Sequence, residues 1–174
     1  KKKYDPILAN HTSAVEHLHT HGYIIQTCHA IAPALEQPSK YADEHVSVTQ
    51  EVKEYVASAG YESKVIHNGV DCERFAPVRP INEKLTSVLS LCQSDEMNVF
   101  LAECCEAYGV KFHTCNKHTD YVWKIEELIN QADLVVGIGR SLYDAMACGR
   151  CVISYDNRGY MNEALGDGYL TSDN

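Results

Sequence analysis

Basic residues are scarce. Lys and Arg total 15 against 24 Asp and Glu, a net charge of −9, and beyond Lys1 to Lys3 the cations are scattered. A protein that grips phosphate backbones needs clustered positive charge, so the chain lacks the footprint of a nucleic-acid binder. Lys1 to Lys3 are a candidate for peripheral contact with an anionic membrane surface, although a charged terminus is more often simply solvated. No apolar run approaches the roughly 20 residues that a spanning helix needs, and no stretch reads as a signal peptide. A second Cys-x-x-Cys is also missing. Cys148-Gly-Arg-Cys151 stands alone across an expected helix end and strand, which argues against a zinc or redox site. The eight cysteines, among them Cys92, Cys104, Cys105 and Cys115, fall mostly inside expected elements. That placement suits reduced, buried thiols of a cytosolic protein better than a disulfide framework. His17 and His21 share a helix face, yet no acidic partner is placed as in the zinc-protease motif, so no metal is expected.

What is present is enough for a packed core: 174 residues, 45% of them apolar, room for one ordinary domain or two small ones. The most informative stretch is QADLVVGIGRSLYDAMACGRCVISYD, Gln131 to Asp156. An apolar run from Ala132 to Val136 ends in Gly137-Ile138-Gly139, where the absent Cβ atoms allow a sharp turn and close approach to a ligand. Ser141 is expected to cap a helix that Gly149 ends, and Cys151 to Tyr155 reads as the next strand. Strand, helix and strand of this length form a βαβ unit with a parallel sheet, and the glycine turn then lies at its carboxyl edge, where ligands of open α/β sheets bind. A helix N-terminus there favours an anion such as phosphate, and Arg140 adds a formal charge. Asp144 has two readings: a nucleotide contact, or the partner of Ser141 in a capping box.

Similar units fill the rest. Tyr4 to Asn10 and Tyr23 to Cys28 read as strands around a helix from Thr12 to His21 closed by Gly22. His29 follows the second strand. Val46 to Val48 forms a short strand, and Thr49 caps a helix to about Ser58. Lys64 to Ile66 leads into an Asn68-Gly69 turn, and Pro77 and Pro80 mark a boundary between residues 1–76 and 77–174. Beyond it come a strand from Leu85 to Cys92, a helix from Asp95 to Tyr108, a strand from Val110 to Cys115 and a helix from Val122 to Asn130. The fold class is therefore α/β with Rossmann-like parallel sheets.

VGIGRSLYDAMACGRCVI resembles the donor-binding segment of family 4 (group 1) glycosyltransferases, E-G-F-G-x-x-x-x-E-A-M-A-x-G-x-P-V-I. KVIHNGVD, from Lys64 to Asp71 and completed by Phe75, is similar to the family's K-V-I-x-N-G-V-D-x-x-x-F. Thr27-Cys28-His29 and ADEHVSVTQEV match two further segments. The resemblance implies a GT-B protein of two lobes, of which this chain holds the end of the first and most of the second. It further implies transfer of a sugar, with retention and without metal, from a nucleotide-sugar donor to a polysaccharide or glycolipid acceptor at the cytoplasmic face. Gly137 and Gly139 would adjoin the donor diphosphate with Arg140 and Ser141, Asp144 would hold the ribose, and His29 would orient the transferred sugar. Val136 occupies the position of the family's first glutamate. After the Leu85 to Cys92 strand, Gln93-Ser94-Asp95-Glu96 stands in place of cations, for which Arg140, Lys117 or Arg158 are candidates to compensate. These departures support an alternative, a catalytically inactive nucleotide- or glycan-binding relative; a sugar-nucleotide epimerase of GT-B type is a third reading.

Overall fold

Alternating strand and helix segments build two separate parallel sheets in the computed structural model of the chain, which describes residues 3–116, 118–157, 166 and 168–172. Lys1, Lys2, Lys117 and Arg158 of the sequence reading lie outside these. The chain divides into two compact units, Lys1–Asn68 and Gly69–Asn174. The sequence places its break later, at Pro77. Phe75, however, is 5% exposed within the second unit's core, beside Leu89, Ile129, Val135 and Leu142.

In the first unit, strands β1 (Tyr4–Ala9), β2 (Gly22–Cys28), β3 (Glu44–Ser47) and β4 (Ser63–Val65) lie side by side in chain order, all parallel. Helix α1 (Thr12–Leu18) stops earlier than the pattern suggests. His21 N donates to Leu18 O at 2.8 Å and the His19 ring stacks on Tyr41, which turns the chain out of the helix. Gly22 is therefore not a helix terminator. It opens β2, and a Cβ there would lie 1.8 Å from the Tyr4 carbonyl oxygen. Thr49 caps α2 (Gln50–Ser58) as expected, its side chain accepting from Val52 N at 3.2 Å. Buried Gln26 holds the segment after β2, donating to Gln37 O at 2.9 Å and accepting from Ser39 N at 2.8 Å.

The second unit comprises β5 (Ser87–Ser90), α3 (Asp95–Ala107), β6 (Lys111–Thr114), α4 (Ile125–Gln131), β7 (Leu134–Gly137), α5 (Arg140–Ala147), β8 (Cys151–Ser154) and the short β9 (Gly168–Tyr169). The sheet order is β6-β5-β7-β8-β9, parallel except for β9. The central strands are the buried ones: all four residues of β5 and three of four in β7 are buried, whereas edge strand β6 is largely exposed. Buried Asp133 ties the entry to this sheet. Its carboxylate accepts from the Thr86 amide and hydroxyl at 2.9 and 2.6 Å and from Asn82 Nδ2 at 2.9 Å. Burial alone would raise its pKa, but these donors outweigh it and hold the group well below the usual carboxylate range. Among the described residues no helix is long and apolar enough to cross a membrane.

Candidate functional site

The glycine turn is built as its composition demands. Gly137 ends β7, and a Cβ there would meet Ser141 Oγ at 2.8 Å. Gly139 has φ 65° and ψ −132°, a region essentially reserved for glycine, and it is itself the N-cap of α5. This corrects the expected cap. The helix begins at Arg140, Ser141 is already inside it, and the Ser141 hydroxyl donates to Ile138 O at 3.1 Å. The capping box fails for the same reason: Asp144 lies too deep in the helix to reach an N-cap amide. Its Oδ1 is buried without a hydrogen-bond partner. The nearest cation, Arg140 Nε, stands 3.6 Å away, beyond hydrogen-bonding distance. Burial pushes the Asp144 pKa above its ordinary 3.8, and the Arg140 charge opposes the shift. A carboxylate with unfilled acceptor capacity is destabilising until a donor arrives.

Asp144 lines a cleft of about 480 Å³ together with Arg140, Gln93, Arg74, Tyr121 and Trp123. These residues follow the carboxyl ends of β5, β6 and β7, apart from Arg74, which enters from the segment before β5. In the sheet order, β6 and β7 flank β5 on opposite sides. The cleft thus occupies the topological switch point of the sheet, where successive connections diverge and leave a crevice. The amides of Arg140 and Ser141 open α5 at its positive dipole end, whereas Leu142 N already donates to Gly139 O at 3.1 Å.

The turn after β5 has different electrostatics. Ser94 caps α3, its Oγ accepting from Met97 N at 3.3 Å, and Asp95 and Glu96 occupy the first helical turn. The Gln93 and Ser94 amides donate to the fully buried Asp156 carboxylate at 3.2 and 3.4 Å. Internal acceptors therefore take the positions that a phosphate would need there.

Of the residues singled out from sequence, Gly137, Gly139, Arg140, Ser141 and Asp144 come together in one turn of the second unit. His29 lies in the first unit, half-buried, directly after β2. Lys117 and Arg158 lie outside the described residues. Arg74, Tyr121 and Trp123 are additions from the structure. The sequence pattern starts a helix at Val122, but α4 begins at Ile125 after Lys124, with φ −98° and ψ 62°. Tyr121 to Trp123 are left as loop. The signal was an aromatic pair before the acidic first turn of Glu126 and Glu127, which suits a helix N-terminus. All eight cysteines are free, and among the described residues no three His, Cys, Asp or Glu side chains are grouped to hold a metal ion. In comparisons with known proteins, no family model matches the chain and no curated protein matches it.

Proposed function

We propose that the second unit is the nucleotide-sugar-binding half of a GT-B glycosyltransferase, one that transfers a sugar to a polysaccharide or glycolipid acceptor with retention. The observation carrying this reading is the cleft at the switch point, where Arg140 and the α5 amides adjoin an under-bonded Asp144 carboxylate. In this reading the α5 amides and Arg140 hold the negative charge of the departing nucleoside diphosphate as the acceptor hydroxyl attacks the anomeric carbon. Ribose hydroxyls donate to the Asp144 carboxylate from the cleft that it lines. The resemblance gives His29 the role of orienting the donor sugar and gives the protein a cytoplasmic site of action, and the charge of Lys1 to Lys3 makes them candidates for peripheral membrane contact. It also makes the chain the end of one lobe and most of the next.

Calorimetric titration with UDP, GDP, ADP and their sugars is the test, repeated on Asp144→Ala and Arg140→Ala. Saturable binding that both substitutions weaken supports the donor site; no binding to any nucleotide overturns it. A second reading, nucleotide binding without transfer, is favoured by one specific feature. The β5 turn presents Asp95 and Glu96, and its amides are already taken by Asp156. Donor hydrolysis or glycan product in the same assay separates the two.

A further inference from the structure

Two aromatic side chains line the same cleft and stand exposed. Tyr121 is 65% and Trp123 74% exposed, and their rings meet edge to face at 6.3 Å. Large exposed rings in a cleft lose water when a planar ligand covers them. Their loop is anchored from two sides. Arg74 donates from Nη2 to the Trp123 carbonyl at 2.7 Å, and from Nε and Nη2 to Glu126 Oε2 at 3.0 and 2.8 Å. At the loop's start, Asn116 accepts from the Asp120 amide at 2.7 Å through its carbonyl, and from His118 N at 3.0 Å through Oδ1. Its Nδ2 donates to Gln93 O at 3.3 Å. Arg74 is consequently committed to the loop and is not the cleft's available cation. That is Arg140, whose side chain is 54% exposed.

Resting on the nucleotide-site reading above, we infer that Trp123 and Tyr121 form the platform on which the ligand's nucleobase stacks, and that Arg74 is the positioning residue that sets the platform. Stacking accepts every base because each has a π-face, so this wall confers affinity for a base without choosing among bases. The base lies on the aromatic wall, the ribose at Asp144 and the phosphates at Arg140.

Trp123 is the chain's single tryptophan beside 11 tyrosines, so fluorescence excited at the red edge, where tyrosine does not absorb, reports on this wall alone. The full chain is titrated with UDP, GDP and ADP, and separately with ribose 5-phosphate and pyrophosphate, which have no base. Calorimetry follows the same ligands on Trp123→Ala, Trp123→Phe and Arg74→Ala. The expected result is saturable quenching by all three nucleotides and none by the base-free ligands. Trp123→Ala should weaken nucleotides about tenfold and leave pyrophosphate unchanged, with Trp123→Phe restoring most of the loss. Arg74→Ala should weaken nucleotides and reduce the quenching, again without affecting pyrophosphate. Nucleotide binding to Trp123→Ala at wild-type strength overturns the platform and leaves the nucleotide site standing. Pyrophosphate binding as tightly as the nucleotides has the same consequence. Absence of binding by every ligand overturns the platform and the nucleotide site together.

Discussion

Asp156 accepts hydrogen bonds from the amides of Gln93 and Ser94, across more than sixty residues of chain, with its carboxylate fully buried. The arrangement reproduces within one molecule what a phosphate does at the end of a Rossmann-like strand: an anion satisfies amides at a helix N-terminus. Asp156→Asn keeps the shape and removes the charge. Urea unfolding should show a loss of about 1–3 kcal/mol. Unchanged stability would show that the carboxylate is not what holds this turn.

Asp133 should be among the most sensitive positions in the second unit. Removing it takes the acceptor from the Thr86 amide and hydroxyl and leaves Asn82 Nδ2 only the Thr86 hydroxyl oxygen at 3.1 Å, so Asp133→Ala should cost at least about 3 kcal/mol. Its folded pKa lies below the ordinary 3.8. Its stabilisation is therefore fully present above that value and is lost as the pH falls through the lower folded value. Stability curves of wild type and Asp133→Asn between pH 6 and pH 2, a range of about four units around the carboxylate values, should converge toward the acid end.

Asp144 has the opposite sign. Burial raises its folded pKa, so its ionised form is the disfavoured one in the fold, and stability declines as pH rises from 3.8 through the raised value. Asp144→Asn should leave the unliganded protein as stable as wild type or more so, by up to about 1 kcal/mol at neutral pH. The same substitution should weaken nucleotide binding. Wild-type affinity should fall on acidification as the carboxylate protonates, and the variant should lack that dependence. Differential scanning fluorimetry with and without nucleotide at two pH values checks both halves.

The two glycines of the turn should fail for different reasons. Gly139→Ala meets open space but an unfavourable φ of 65°, costing about 1–3 kcal/mol whatever surrounds it. Gly137→Ala instead collides with Ser141 Oγ at 2.8 Å, while Ser141 Cβ lies at an ordinary 3.7 Å. Adding Ser141→Ala should therefore rescue Gly137→Ala and do nothing for Gly139→Ala, a double-mutant test by thermal unfolding.

Thiol labelling should order the cysteines by exposure. Cys72 is exposed, whereas Cys28, Cys92 and Cys148 are buried, and burial pushes the Cys28 thiol up to about 11. Because the thiolate is the reacting species, mass spectrometry after brief alkylation at neutral pH should find Cys72 modified first and Cys28 only after unfolding.

Much of the architecture was legible in local pattern. Thr49 stands as a cap before an apolar-periodic segment, and the Gly137-Ile138-Gly139 turn carries its own steric requirement. These features identify parallel α/β units because caps, turns and periodicity act within a few residues of themselves. Local pattern misjudged the start of α5, where a glycine with positive φ outcompeted Ser141 as the cap. It also misjudged the start of α4, because an aromatic pair reads as helix until the loop around it is seen.

By itself, then, the sequence determined the α/β class, most of the elements and the turn that carries Arg140 and Asp144. Only the tertiary structure decided that β6 and β7 flank β5 on opposite sides, opening the cleft. It alone set Arg74 against Trp123, 49 residues away, and Asp156 against Gln93. Strand order and such pairings are selected by burial of apolar surface and satisfaction of buried polar groups over the whole unit, and no local stretch of chain encodes that sum.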